Sequence, residues 1–377
     1  MTEVLSVVGA RPQFIKAAPV SRALAKSGLS EFLVHTGQHY DPQMSEVFFS
    51  ELGLRAPDLN LGVGSGLQGA QAAAMLTGME RAILDQKPNW VLVYGDTNST
   101  LAGALAAAKL NVPVAHVEAG LRSFNRGMPE EINRIVTDAV SSLLFVPSET
   151  AHQNLRREGV PEERIHWTGD VMYDAMLLFG ETLPQRPGIL ERLQVNGAPF
   201  VLATIHRAET TDDLARLQSV MQGLRVIAKQ MRVIVPLHPR TRARLQQMPT
   251  FDTRPVEIIE PVGFLDMIRL EKAAAVIATD SGGVQKEAFF HQVPCVTLRE
   301  ETEWKELITL GWNRLASPLD FGQIASTILS ALGTKGRAAA PYGSGNASER
   351  IAATLAAEAT GRATPRKDVL LRQSFVI

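Results

Sequence analysis

The chain has 377 residues, more than one hydrophobic core serves well, so two domains are expected. Hydrophobic residues make up 45% and charged residues 20%, which excludes a disordered chain. A net charge of −1 supplies no bulk field for nucleic acid or an anionic membrane, and a single cysteine excludes an internal disulfide or a multi-cysteine metal site.

The first strand is predicted at Val4–Val8. Glu3 precedes it with no basic residues, unlike a signal peptide. No apolar run approaches the about 20 residues of a membrane span. A soluble, cytoplasmic protein is expected. Next comes Gly9-Ala-Arg-Pro-Gln-Phe-Ile-Lys16, where Pro12 suits a first helical turn. Arg11 and Lys16 stand near that helix start. Cations there oppose the helix dipole unless an anion such as phosphate joins them. Solvated helix charges are the plainer alternative. The segment is neither GxGxxG nor a Walker loop.

Further strands are predicted at Phe32–Thr36, Trp90–Tyr94, Val112–Val117 and Leu143–Val146 in the first half. The second half adds Phe200–Thr204, Arg232–Pro236, Val256–Ile259, Ala274–Ala278 and Cys295–Leu298. Amphipathic segments such as Gln68–Gln86 and Asp213–Gln230 separate them. Continuous apolarity means strands covered on both faces. Repeated βα units then imply parallel, doubly wound sheets. Gly180–Pro199, with Pro184, Pro187, Gly188 and Gly197 inside it, reads as the break between halves. The expected fold is therefore α/β, with two Rossmann-like domains facing a cleft. Residues 1–175 form the first and 195–345 the second, with 346–377 a helix and tail packing back on the first.

Ligands of such sheets sit at the carboxyl ends of strands. After Trp90–Tyr94, Asp96 reads either as a helix N-cap or as a site acid. After Val112–Val117, Glu118 places a carboxylate at the end of a buried strand with no capping role to explain it. Met128-Pro-Glu-Glu-Ile-Asn-Arg134 opens a helix in which Glu130 and Glu131 are electrostatically ordinary and Arg134 is spaced to pair with Glu130. Three acidic clusters on one sheet edge suit general acid–base work.

In the second half, His206 follows Phe200–Thr204 and reads as a phosphate donor, an acid or a structural histidine. His238, before Pro239, is weaker. The run Ala273–Ala278 leads into Asp280-Ser281-Gly282-Gly283-Val284-Gln285-Lys286-Glu287, and Glu287–His291 can begin a helix. Backbone N–H groups at such a strand–helix turn, with the dipole, form an anion site that bare glycines let a phosphate approach. Glu287, one turn in, is placed to grip a sugar or ribose hydroxyl. An ordinary strand–turn–helix corner is the alternative. Glu303 and Arg314 follow, where a helix after Thr302 would line the same cleft. Cys295 lies in an apolar run and reads as buried filler. No His/Cys/Asp cluster has metal-ligand spacing, and no Gly-x-Ser-x-Gly elbow serves a nucleophile.

Several long segments occur together in order: GARPQFIK (9–16), HTGQHYD (35–41), YGDTNST (94–100), HVEAGLRS (116–123), PEEINR (129–134), IHRAE (205–209), HPRTR (238–242), TDSGGVQKEA (279–288) and TEW (302–304). On these segments, from Gly9 to about Gly345, the chain resembles the non-hydrolysing UDP-N-acetylglucosamine 2-epimerases. The resemblance implies a fold like the B-type glycosyltransferases, a UDP-sugar substrate, no cofactor, no metal and a homodimer. It also implies a place in cell-surface polysaccharide precursor synthesis. The implied reaction removes the sugar C2 proton, expels UDP by anti elimination and re-adds it to a 2-acetamidoglycal after reprotonation on the other face. Asp96, Glu118 and Glu130 match the family's catalytic acids and Arg134 its catalytic-site arginine, with the C2 base unassigned among the acids. His206 counts with both groups, and Arg11, Lys16 and the Ser281–Gly283 turn, including Gly282, are the implied holders of the diphosphate. Glu287 and Arg314, with Ser281 and Gly283, match nucleotide contacts.

The chain also departs from the family. The loop between Ser123 and Pro129 is short, and Pro261–Met267 replaces residues that contact uracil in relatives. MSEVFF, NSTLAGALAA, LRSFN, KEAFF and TEW look closest to a branch acting on UDP-2,3-diacetamido-2,3-dideoxy-glucuronate. Substrate stays open between the two, with Arg122 or Arg126 as candidate cations for the uronate. Other readings are a hydrolysing 2-epimerase, a glycosyltransferase on the same fold, and a non-catalytic nucleotide-sugar sensor.

Overall fold

The protein is described from a computed structural model covering residues 3–38, 52–181, 188–248 and 252–361. His39–Asp41, Met44–Phe49 and the tail Thr364–Ile377 lie outside the described residues. The chain divides into two compact units, one of Met1–Leu178 with Ala340–Ile377 and one of Phe179–Ala339.

The first unit is built on seven parallel strands: β1 (Val4–Val8), β2 (Glu31–His35), β3 (Leu59–Asn60), β4 (Trp90–Tyr94), β5 (Val114–Val117), β6 (Leu143–Val146) and β7 (Ile165–Trp167). Their order is β3-β2-β1-β4-β5-β6-β7. All five residues of β1 and of β4 are buried, because helices cover both faces of a parallel sheet. Leu5, Val7, Val91 and Val93 pack with Met79 and Ile83 of the helix Gln68–Gln86 and Ala104 and Ala107 of the helix Asn98–Lys109.

The second unit repeats the plan with β8 (Phe200–Thr204), β9 (Arg232–Pro236), β10 (Glu257–Ile259), β11 (Val276–Thr279), β12 (Cys295–Thr297) and β13 (Asn313–Leu315). Their order is β10-β9-β8-β11-β12-β13, again parallel. Val201, Ala203 and Val235 pack against Leu217, Val220 and Leu224 of the helix Leu214–Ala228 and Ile324 and Ile328 of the helix Phe321–Ala331. Cys295 is fully buried, and burial pushes its thiol up to about 12.

β1, β4, β6, β8 and β9 occupy the bounds their apolar runs predict. The short strands β3, β7 and β13 were not expected. Each is two or three residues at a sheet edge, where one partner suffices and no long apolar run is needed. In each sheet the order reverses between the first strand and the fourth, at β1/β4 and β8/β11. Crossovers leave those neighbours on opposite sides, opening a crevice at their carboxyl ends. Among the described residues, no helix is long and apolar enough to cross a membrane.

The helix Ala347–Gly361 returns to the first unit and packs against the helix Arg11–Lys26. Its start is held by buried Asp174, which accepts from Ala347 N at 3.1 Å, Ser348 N at 2.7 Å and Ser348 Oγ at 2.6 Å. Asp174→Ala leaves three donors without their acceptor, so a loss of about 1–3 kcal/mol in urea unfolding is expected. Earlier proteolytic release of the C-terminal helix should accompany it.

Candidate active site

In the first unit the site residues lie at the β1/β4/β5 carboxyl ends. Buried Gln13 fastens the helix start there. Its Oε1 accepts from Gly9 N at 2.8 Å and Ala10 N at 3.0 Å, and its Nε2 donates to Tyr94 O at 2.8 Å and Thr100 Oγ1 at 3.0 Å. Gly9 is required by close approach, since a Cβ would strike Ser99 Oγ and Thr36 Oγ1. The helix so placed turns Lys16 onto Glu118, and the two form an ion pair with each side chain only 11% exposed. Glu118 adopts φ of 71°, a left-handed backbone unusual for a residue with a Cβ. Such strain persists where surrounding contacts impose it, and it concentrates at functional positions.

Asp96 is not the N-cap of the following helix. Thr97 is, accepting from Thr100 N. The Asp96 carboxylate instead takes both Nε (3.1 Å) and Nη2 (2.7 Å) of Arg134 on its Oδ2. Arg134 sends Nη1 to Glu131 at 2.7 Å, so the predicted pairing with Glu130 gives way to one residue later. Glu131 is buried and also accepts from Ser123 N and Phe124 N, both at 2.9 Å. These contacts outweigh burial and hold its carboxyl below the usual range. Glu130, in the first turn of the helix Pro129–Val140, is exposed.

In the second unit, Asp280 is buried at the end of β11 and accepts from His206 N at 3.1 Å and Arg207 N at 3.0 Å. This fixes the backbone where the chain leaves β8, with the His206 ring half exposed and its Nδ1 3.9 Å from Asp280. The following helix begins at Gly282, earlier than expected, so both glycines belong to its first turn. Ser281 is its N-cap, and no side chain caps the start. The dipole and the first N–H groups are therefore not taken by an intrinsic cap. Trp304 Nε1 donates to Gly282 O at 2.9 Å, and Glu303 pairs with Arg299 at 2.7 Å. Arg314 does not join this turn. Its neighbour Asn313 faces Gln285, whereas Arg314 lies on the other face of β13 and donates to Thr334 Oγ1 at 3.0 Å.

The family model for UDP-N-acetylglucosamine 2-epimerase matches residues 22–356. The chain belongs to this family. It is an isomerase of the UDP-sugar 2-epimerase kind. It is 49% identical over 358 residues to the UDP-2,3-diacetamido-2,3-dideoxy-D-glucuronate 2-epimerase of Pseudomonas aeruginosa, covering 94% of this chain and 99% of that one. The crystal structure of the UDP-GlcNAc 2-epimerase of Methanocaldococcus jannaschii, in complex with UDP-GlcNAc and UDP, matches with TM-score 0.80 and 42% identity, covering 93% of this chain and 98% of that one. A glycosyltransferase from Rickettsia africae, 13% identical with TM-score 0.55 over 95% of this chain and 93% of that one, shares the fold alone.

Beneath the acids of this epimerase lies a buried charge network that no motif spacing announced. His116 on β5 is fully buried, with Nδ1 2.6 Å from Asp138 Oδ1 and Nε2 2.7 Å from Gly95 O. Asp138 also accepts from Gly120 N at 3.1 Å and pairs with Arg122 at 2.7 Å. Arg122 in turn grips Glu158 through Nε and Nη2, both at 2.7 Å. Its guanidinium is buried and occupied by two carboxylates, so Arg122 is not available as a cation for a substrate, and Arg126 is exposed. The network joins Gly95, beside Asp96, to Gly120, two residues beyond Glu118.

Burial alone would raise the Asp138 carboxyl, but His116 and Arg122 hold it below its ordinary 3.8. A depressed acid stabilises the fold above its unfolded-state pKa, and that stability is lost as the pH falls through the folded value. Asp138→Asn takes the carboxylate partner from buried His116 and one of the two carboxylates from buried Arg122. We expect a loss of about 3–5 kcal/mol at neutral pH by denaturant unfolding. The gap to the unaltered protein should narrow below pH 3.8.

Proposed function

We propose that this epimerase interconverts UDP-GlcNAc and UDP-ManNAc, supplying precursors for cell-surface polysaccharide. The observation carrying the reading is the ring of paired charges at the β1/β4/β5 ends, with Glu118 beside Lys16 and Asp96 beside Arg134. A 2-epimerisation needs a base for the C2 proton, an acid for the other face, and cations that stabilise UDP as the C1–O bond breaks. Asp96, Glu118 and Glu130 are the proposed acids and bases. Both bonds from Arg134 fall on Asp96 Oδ2, which leaves Oδ1 directed elsewhere.

The second unit is proposed to hold the nucleotide. The start of the helix Gly282–Phe290, Ser281 and His206 offer donors for the diphosphate. In the first unit, Arg11 and Lys16 are proposed as cations for an anionic substrate. Re-addition requires that UDP stay bound while detached, and an uncapped helix N-terminus suits a dianion that comes and goes. Ligands of the M. jannaschii and related structures support a UDP-sugar here.

A second substrate, UDP-2,3-diacetamido-2,3-dideoxy-glucuronate, is favoured by the 49% identity to the P. aeruginosa enzyme. A homodimer and a cytoplasmic location belong to the same reading, the homodimer resting on the family likeness.

Incubation with UDP-GlcNAc in deuterated water should place deuterium at C2 and yield UDP-ManNAc without net UDP release. Absence of exchange with both candidate sugars would refute the epimerase reading, and exchange with the uronate alone would select the second substrate. Asp96→Asn, Glu118→Gln and Glu130→Gln should each lower kcat roughly 10²–10⁴-fold with smaller changes in UDP affinity. Arg11→Ala and Ser281→Ala should instead weaken the Kd for UDP, measured by calorimetry.

A further inference from the structure

Against the helix Gly282–Phe290 stands a second acid that the proposed chemistry does not use. Glu271 lies in the last turn of the helix Phe264–Ala273 and is 1% exposed. It hydrogen-bonds Glu287, and its Oε1 has no partner. Glu287 is only half-buried. Its Oε1 and the Ser281 hydroxyl flank bare Gly283, each 3.9 Å from where a Cβ on that glycine would stand. Glu287 thus has Glu271 on its inner side and the open first helical turn on its outer side.

Two carboxylates in contact cannot both ionise in a buried setting, so one carries a proton. Position and burial decide which. Glu271 stands near the negative end of its helix, which disfavours the anion, whereas Glu287 lies past the first turn of its own. Burial acts in the same sense, raising the Glu271 carboxyl well above its ordinary range, with Glu287 adding to it. The other neighbours do not reverse this. His291 Nε2 is 3.7 Å from Glu271 Oε2, but burial and Lys272 hold that imidazole down at about 4, so it is neutral at pH 7. Cys295 on β12 is also neutral.

We infer that Glu271 is a positioning residue: as a neutral carboxylic acid it donates to Glu287 and aims the Glu287 carboxylate at ligand hydroxyls over Gly283, such as the ribose diol of a uridine nucleotide. The inference rests on the reading of the second unit as the nucleotide holder. The donated proton occupies one Glu287 oxygen and leaves the other to accept from the ligand. Without it, Glu287 would lose the contact that orders its rotamer, and hydroxyl recognition would fade while diphosphate contacts remained.

The test compares Kd for UDP and for 2′,3′-dideoxy-UDP by calorimetry, in the full chain at neutral pH. The unaltered protein should bind the dideoxy nucleotide about tenfold or more weakly, as expected for lost bonds to a charged acceptor. In Glu271→Leu the ratio should fall toward one, with UDP itself weakened. In Glu271→Gln, whose amide N–H still donates, the ratio should persist. If the unaltered protein does not discriminate, Glu287 does not read the ribose, and both the nucleotide reading of that residue and the inference fail. If it discriminates and Glu271→Leu discriminates equally, the inference alone fails. Infrared spectroscopy provides an arm independent of the Leu variant's folding. A protonated-carboxyl band at neutral pH that disappears in Glu271→Gln supports the inference, and its absence from the unaltered protein overturns it.

Discussion

Where the chain leaves a parallel strand, the first N–H groups still reach the neighbouring strand, as Glu118 N and Ala119 N reach Phe145 O, but those farther along pass beyond the sheet. At the carboxyl ends of both sheets, buried carboxylates accept them instead. Asp280 takes His206 N and Arg207 N, Asp138 takes Gly120 N, and Glu131 takes Ser123 N and Phe124 N. An unpaired buried donor costs about 1–3 kcal/mol, so each acid removes one or two such penalties. It also fixes the loop from which a candidate site side chain projects.

Burying those acids creates a second requirement, because an isolated buried anion is far more costly than an unpaired amide. The first unit meets it with alternating charges. Glu158, Arg122, Asp138 and His116 form one chain, and Glu131, Arg134 and Asp96 another. Each chain has one end at or beside a proposed catalytic acid. Structural and chemical roles therefore meet in single residues: Arg134 neutralises buried Glu131 and also holds Asp96. The second unit meets the requirement differently at Glu271, where protonation replaces a counter-cation.

Much of the fold was legible from continuous apolar runs, which placed β1, β4, β6, β8 and β9 at their observed bounds. The edge strands β3, β7 and β13 were not, because Leu59-Asn60, Ile165-His-Trp167 and Asn313-Arg-Leu315 mix polar with apolar residues, whereas the equally short edge strand β10 lies in the run Val256–Ile259. Site loops were legible as polar residues directly after such runs, which located Asp96, Glu118, His206 and Asp280. Their partners were not. Glu130 and Glu131 are adjacent and alike in sequence, yet one is exposed and the other buried beneath Arg134. Arg122 looked available until Asp138 and Glu158 were seen to hold it. Glu271 sits in an unremarkable amphipathic stretch, and only the packing of two helices sets it against Glu287.

Taken alone, the sequence determined that the strands are parallel and covered on both faces, which segments end them, and which family the contiguous segments resemble. These are properties of neighbouring residues, written in local periodicity and backbone preference. Only the tertiary structure decided the charge partners and the burial of each acid. Lys16 and Glu118 are 102 positions apart, and Asp96 and Arg134 are 38 apart. Coulombic and desolvation energies depend on distance through space and exclusion of water, and neither is fixed until the chain has closed its core.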